Sequence, residues 1–230
     1  MENTYCDKDQ CLGCTLRRVH NSLPESAIIQ FDANRIELEY KKGESICKQG
    51  SFASSIICIR SGIVKIYKEG SHISSTLSLK NAGGILGLQS LFGKGVYHYS
   101  AEALTDTEIC LIDMATFKKL LKENPDFATE VIQYINEELI GMSDQLHSFS
   151  TKHIHGRLAE LLLFLHQDIY HSNPFKLTLS KTDLSEILGT SKESISRLFK
   201  ELKNDGIIKE SNRSIHILDE SRLKRISLTG

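Results

Sequence analysis

The chain has 230 residues, of which 40% are hydrophobic and 25% charged, and its formal net charge is −1. This is ordinary globular composition with room for one large domain or two small ones, and it excludes a disordered, fibrous or strongly polyionic chain. No apolar run approaches the roughly 18–20 residues of a membrane helix, and the opening MENTYCDKDQC is too polar and acidic for a signal peptide. A cytoplasmic protein with no membrane partner is therefore expected. In that compartment six cysteines serve as thiols or metal ligands rather than disulfides.

Residues 1–27 read as a cysteine-bearing tail. Residues 28–124 read as a β-rich unit, because short apolar runs recur between glycine-bearing turns. Examples are Ser55–Arg60, a Ser61-Gly62 turn, Ile63–Tyr67, Ser74–Leu79 and Glu108–Ile112. Many short strands with glycine punctuation predict a roll or barrel. Residues 125–151 predict a helix, with Asn124 placed to cap it and Pro125 in its first turn. Along that helix Ala128, Ile132, Ile135, Leu139, Met142, Leu146 and Phe149 alternate at spacings of four and three, while Glu130, Glu137, Glu138 and Asp144 stay off the stripe. A narrow heptad stripe without ionisable residues points to a dimer seam. Packing on the chain's own core is the alternative, and it usually demands a wider apolar face.

Residues 152–230 carry 13 Lys and Arg against 10 Asp and Glu, while residues 1–151 carry 15 against 19. After a break near Ser150–Lys152, His153–His171 predicts a helix lined by Leu158, Leu161, Leu162 and Leu165. Then LSKTDLSEILGTSKESISRLFKELKNDGIIK reads as a helix-turn-helix. Ser180 and Asp183 fit a capping box, Gly189 makes the turn, and Ser191 caps the second helix. In that helix Ile195, Leu198, Phe199 and Leu202 share one face. Lys192, Glu193, Ser196, Arg197 and Lys200 share the other. Arginine donates two bonds to guanine and glutamate accepts from cytosine, so the polar face suits base reading in a major groove. A merely solvated face would instead pair Glu193 with Arg197 at i,i+4. Gly206 stops the helix, and Ile207–Glu210 and Ser214–Leu218 predict a hairpin wing whose Asn212 and Arg213 face phosphates. Two helices and a hairpin are expected to complete the chain.

With these segments in place, the sequence resembles the CRP/FNR family of bacterial regulators across nearly its whole length. The likeness runs through Gly43–Tyr67, the long helix, RLAELLLFL and TSKESISRLFKELKNDGII. It implies an α+β fold: an amino-terminal β-roll like the cyclic-nucleotide-binding jelly roll, a long dimerisation helix, and a carboxy-terminal winged helix-turn-helix. It implies a homodimer on an inverted repeat of double-stranded DNA, with RNA polymerase as a further partner. Glu193 and Arg197 correspond to the family's base-reading pair. Ser196 corresponds to the FNR branch, where the cyclic-AMP branch has glycine, which implies an FNR-like half-site, TTGAT. Lys192 departs from that branch, which has an apolar residue there.

The signal is read from what the resemblance keeps and what it drops. The cyclic-AMP branch carries Gly-Glu and Arg-Ser in its phosphate cassette, whereas this chain has Gly87-Leu88 and Tyr99-Ser100. Without the arginine a buried phosphate is uncompensated, which argues against cyclic AMP in the usual mode. Cys6, Cys11 and Cys14 follow a C-x4-C-x2-C spacing, and Cys110 falls where the FNR branch places its internal cluster ligand. An iron–sulfur cluster on these four, answering a redox or gas signal, is the favoured expectation. The FNR branch spaces its tail cysteines C-x2-C-x5-C, so the cluster type is left open. Zinc, a disulfide switch, or Cys110 as a small buried residue remain alternatives. Cys47 and Cys58 are expected in the core. A small organic ligand or haem in the roll is a further alternative, with His72 and His98 as candidate ligands. No acid–base pair, nucleophile triad or phosphate loop stands out, so no enzyme is expected. Cys11-x-x-Cys14 lacks the βαβ setting of a thiol redox enzyme.

Overall fold

A computed structural model describes residues 24, 27, 31, 35–70 and 74–229. Cys6, Cys11, Cys14 and His72 lie outside the described residues. The described chain falls into two compact units that divide between Glu138 and Leu139, inside the long helix.

The first unit is built on eight strands: β1 (Arg35–Tyr40), β2 (Ser45–Cys47), β3 (Ser55–Ser61), β4 (Val64–Glu69), β5 (Ser74–Lys80), β6 (Ile85–Leu86), β7 (Ser100–Ala103) and β8 (Thr107–Asp113). They form two antiparallel four-stranded sheets, in the orders β1-β8-β3-β6 and β2-β7-β4-β5. The expected short strands are therefore present, each within a residue or two of its sequence-based bounds. The Ser61-Gly62 turn is one place where glycine is required. Gly62 has φ +91°, and a Cβ there would lie 2.4 Å from Thr107 Oγ1 and 2.6 Å from the Asp106 carbonyl oxygen.

Strand β3 is central, and Ile56, Ile57, Cys58 and Ile59 are all buried. A strand buried on both faces must be covered twice, and two helices supply the second cover. Helix α1 (Met114–Glu123) is capped by Asp113, whose carboxylate accepts from the Thr116 N–H at 2.8 Å. It buries Phe117 and Leu120. Helix α2 (Pro125–Thr151) buries Phe127, Val131 and Tyr134, and Phe127 meets Phe117 edge-on at 5.3 Å. The Tyr134 hydroxyl accepts from the Ile85 N–H at 2.9 Å, and Glu138 pairs with Lys80. Helix α2 therefore carries two apolar stripes, where the sequence reading found one. Asn124 differs from expectation too, because its side-chain amide donates to Leu120 at the end of α1.

The second unit contains α3 (Ile154–Phe164), which continues as a π-helical turn over Leu165–Ile169, then β9 (Phe175–Lys176), α4 (Lys181–Leu188), α5 (Lys192–Asn204), β10 (Ile208–Ser211), β11 (Ser214–Ile217) and α6 (Glu220–Thr229). The break after α2 falls at Lys152–His153. The core is apolar and close-packed. Leu158, Leu162, Leu165, Ile195, Leu198, Ile207, Ile215 and Leu223 are at most 1% exposed. Two elements correct the expected ending. The wing is a three-stranded sheet in the order β10-β11-β9, and a further helix, α6, follows it and buries Leu223. Among the described residues no helix is long and apolar enough to cross a membrane.

Candidate nucleic-acid interface

The helix-turn-helix is assembled by its caps. Ser180 Oγ accepts from the Asp183 N–H at 3.1 Å while Asp183 Oδ2 accepts from the Ser180 N–H at 2.8 Å, the reciprocal capping box expected for α4. Gly189 closes α4 in the left-handed region at φ 61°. Ser191 then caps α5 through the Ser194 N–H at 3.1 Å. Arg157 braces the turn from α3. Its Nη2 donates to the Leu188 carbonyl at 3.1 Å and its Nη1 to the Lys152 carbonyl at 3.1 Å, and its guanidinium lies 5.0 Å over the Phe149 ring.

Helix α5 is two-sided as the sequence predicts. Ile195, Leu198, Phe199 and Leu202 are buried, and Lys192, Glu193, Ser196, Arg197 and Lys200 are all exposed. The structure brings these five onto one outward face. Glu193 does not pair with Arg197. Its own backbone N–H and the Ser191 hydroxyl hold its carboxyl below the usual range, with Lys192 adding to the effect, so it is an acceptor at neutral pH. Ser196 Oγ donates to the Lys192 carbonyl and accepts from Lys181 Nζ at 2.9 Å. Lys181, at the start of α4, is thus a member of this face that sequence reading missed. Only the helix crossing, which no spacing rule supplies, brings positions 181 and 196 together.

The wing turn places Asn212 and Arg213 at φ 49° and 64°, a left-handed pair suited to a two-residue hairpin. Arg213 Nη2 donates to the Leu179 carbonyl at 3.0 Å. The expected phosphate-facing arginine therefore also ties the wing to the residue before the α4 cap.

Of the seam residues, Ile132, Ile135, Leu139, Met142, Leu146 and Phe149 are each between 38% and 72% exposed. The stripe is open to solvent along its length. Phe149 is the exception in character, because its ring sits under Arg157 and against Gly189. That position serves the turn as well as the stripe.

In the roll, the residues standing at the phosphate cassette satisfy one another. The Gly87 N–H donates to the Tyr99 hydroxyl at 2.9 Å. Ser100 Oγ donates to Glu69 at 2.6 Å and accepts from the Gln49 N–H at 2.9 Å. Tyr97 donates to the Ser55 carbonyl at 2.8 Å. Burial pushes the Tyr97 phenol up to about 12 and the Tyr99 phenol higher still. Cys47 and Cys58 are core residues as expected, and burial also lifts the Cys47 thiol to about 12. Cys110 is 4% exposed and lies in register between Cys58 of β3 and Glu37 of β1. No group of three or more metal-binding side chains occurs among the described residues. His98 is exposed.

A β-roll followed along the chain by a long helix and a winged helix-turn-helix defines a class, the transcription regulators that join a sensor roll to a DNA-binding unit. Family models agree. Residues 37–124 match the cyclic nucleotide-binding domain and residues 156–226 the Crp-like helix-turn-helix domain. The chain belongs to the CRP/FNR family of transcription regulators, which are not enzymes. It is 26% identical over 228 residues to the fumarate and nitrate reduction regulatory protein of Escherichia coli, covering 94% of this chain and 90% of that one. It is 26% identical over 196 residues to the transcriptional activator protein anr of Pseudomonas aeruginosa, covering 80% and 77%. In fold it is similar to FixK2 from Bradyrhizobium japonicum, with TM-score 0.77, 24% identity and coverage of 85% and 98%. A CooA mutant from Carboxydothermus hydrogenoformans gives TM-score 0.73, 23% identity and coverage of 92% and 95%.

Proposed function

We propose that this regulator binds an inverted repeat as a homodimer, with α5 of each protomer in a major groove and RNA polymerase as a partner. Arg197 donates to a guanine and Glu193 accepts from a cytosine of an FNR-like half-site. Lys192, Ser196 and Lys200 flank them, and Arg213 approaches the phosphates from the wing. The observation that carries the reading is the capped α5, with its apolar face buried and all five polar candidates exposed on the other side. The exposed stripe on α2 supplies the second copy, and the domain division expected from the sequence places that stripe in residues 125–151. Arg197→Ala is expected to cost about 1–3 kcal/mol per half-site and to relax preference at one base pair. Operator titrations with each base pair varied in turn measure this. Unchanged preference would remove α5 from the groove.

For the signal, the reading is an iron–sulfur cluster held by Cys6, Cys11, Cys14 and Cys110. Support comes from the tail spacing, from Cys110 as a buried thiol on β8, and from the likeness to the fumarate and nitrate reduction regulatory protein. Four thiolates suit iron, and a cluster would supply lability toward oxygen or nitric oxide. Burial at Cys110 fits a ligand shielded from solvent. The self-satisfied cassette around Tyr99 and Ser100 speaks against a cyclic nucleotide in the roll. Protein purified without oxygen from iron-replete cells is expected to be coloured and to contain iron and sulfide. Colourless, iron-free protein would overturn the cluster and leave the DNA reading standing.

A further inference from the structure

Arg197 is engaged from behind. Its Nε lies 3.7 Å from Glu201 Oε1, an ion pair rather than a hydrogen bond. The other oxygen of the same carboxylate, Oε2, is 2.9 Å from His155 Nε2 at the start of α3. Each oxygen of Glu201 thus faces one neighbour. A carboxylate accepts, so in this contact His155 Nε2 carries the proton.

Helix stability does not account for the arrangement. Arginine four residues before an acid is the less favourable order along a helix, and Glu201 sits in the last turn of α5, where an acid opposes the helix dipole. The better-ordered partner, Glu193 four residues before Arg197, is drawn instead to its own backbone and Ser191. Nor does solvent exposure leave much folding energy in the pair, with Arg197 68% and Glu201 45% exposed. The geometry matters more. A carboxylate at Nε restrains the guanidinium while leaving both terminal amino groups unused by it, and these are the two donors that can engage guanine N7 and O6.

We propose that Glu201, itself oriented by His155, is a positioning residue for Arg197 that pre-sets the guanidinium for base reading. This rests on Arg197 as the base-reading arginine. The full-length protein is titrated against operators carrying every base pair at each half-site position, and discrimination ratios are compared between variants. Glu201→Ala is expected to reduce discrimination about two- to fivefold at the base pair that Arg197→Ala relaxes, and at no other. His155→Ala gives a smaller change at the same position. Glu201→Gln, which keeps the side chain's size but loses the charge of the ion pair, is expected to fall between the parent and Glu201→Ala. Added to Arg197→Ala, the Glu201→Ala change has no further effect on the ratios. Both side chains are exposed, so the melting temperature of the variants is expected to hold. Ratios that change equally at all positions, or effects of Glu201→Ala and Arg197→Ala that add independently, overturn the positioning role. An Arg197→Ala variant with unaltered ratios overturns the underlying reading of α5 and is recognised by that result alone.

Discussion

The exposed stripe on α2 makes the most quantitative prediction. Leu139 is 56% and Leu146 72% exposed. Leucine to alanine removes about three methylene-sized groups at about 0.8 kcal/mol each when fully buried. Scaling by the surface still open to a partner gives about 1.3 kcal/mol at Leu139 and about 1.7 at Leu146. A symmetric dimer counts each twice, so Leu139→Ala with Leu146→Ala is expected to weaken association by about 6 kcal/mol, about four decades in dissociation constant. The folded protomer should tolerate both changes, since neither side chain is buried in it and alanine is the better helix former. Sedimentation equilibrium across a wide concentration range reads the shift. Binding to a full inverted repeat should fall with it, while circular dichroism and the melt of the protomer stay constant. Glu137→Ala, off the stripe, is the control. A double variant that dimerises as well as the parent chain, or a parent chain that is monomeric at all concentrations, refutes the seam.

Two further substitutions test the fold that holds the site. Gly62→Ala combines a left-handed backbone with a Cβ only 2.4 Å from Thr107 Oγ1, so about 2 kcal/mol or more should be lost from the roll. A melt lowered on the order of 8 °C would register that loss, and an unchanged melt would show that the β3–β4 turn relaxes freely. Ser180→Ala breaks the capping box and should cost about 1 kcal/mol. Hydrogen exchange should quicken across Lys181–Leu188 and stay unaltered in the roll.

Much of the fold was legible because its signals are local. Glycine-bounded apolar runs gave the strands, and Ser180, Asp183, Gly189 and Ser191 marked the two helices within a residue. What escaped was either short or non-local. Helix α1 directly continues the strand EICLID, so its cap at Asp113 was hidden in an apolar run. Helix α6 is polar and short, and β9 is two residues beside a proline. Phe127, Val131 and Tyr134 form a second stripe on α2 that the more regular heptad overshadowed. The reading face was found from spacing alone. Its supports were not, because Lys181, His155 and Arg157 reach it only through the crossing of α3, α4 and α5. The register that sets Cys110 beside Cys58 is likewise a property of paired strands, and no spacing in either strand announces it.

The interior of the roll bears on where a signal enters. A nucleotide phosphate at Gly87 and Ser100 would have to displace Tyr99 from the Gly87 N–H and Glu69 from Ser100. It would meet the Glu69 carboxylate beside Ser100, with Tyr99 and no arginine at the preceding position. Both exchanges leave polar groups unpaired or bring like charges together, and each is unfavourable by a kcal/mol or more, about the value of a lost buried hydrogen bond. The outer side of the other sheet is different. Burial first, then Glu138 and Cys58, push the Tyr134 phenol up, so Cys58 lies near α2. Cys110, its partner in register, shares its face of the sheet. Under the cluster reading, a change at Cys110 therefore acts on the face of the roll that Phe127, Val131 and Tyr134 cover. The exposed stripe of that same helix, turned roughly 90° from those three residues at 3.6 residues per turn, is the one that the proposed dimer would use. If the proposed dimer forms along that stripe, coupling from thiol to partner needs no ligand cavity, only a small displacement of one helix whose buried and exposed stripes lie side by side.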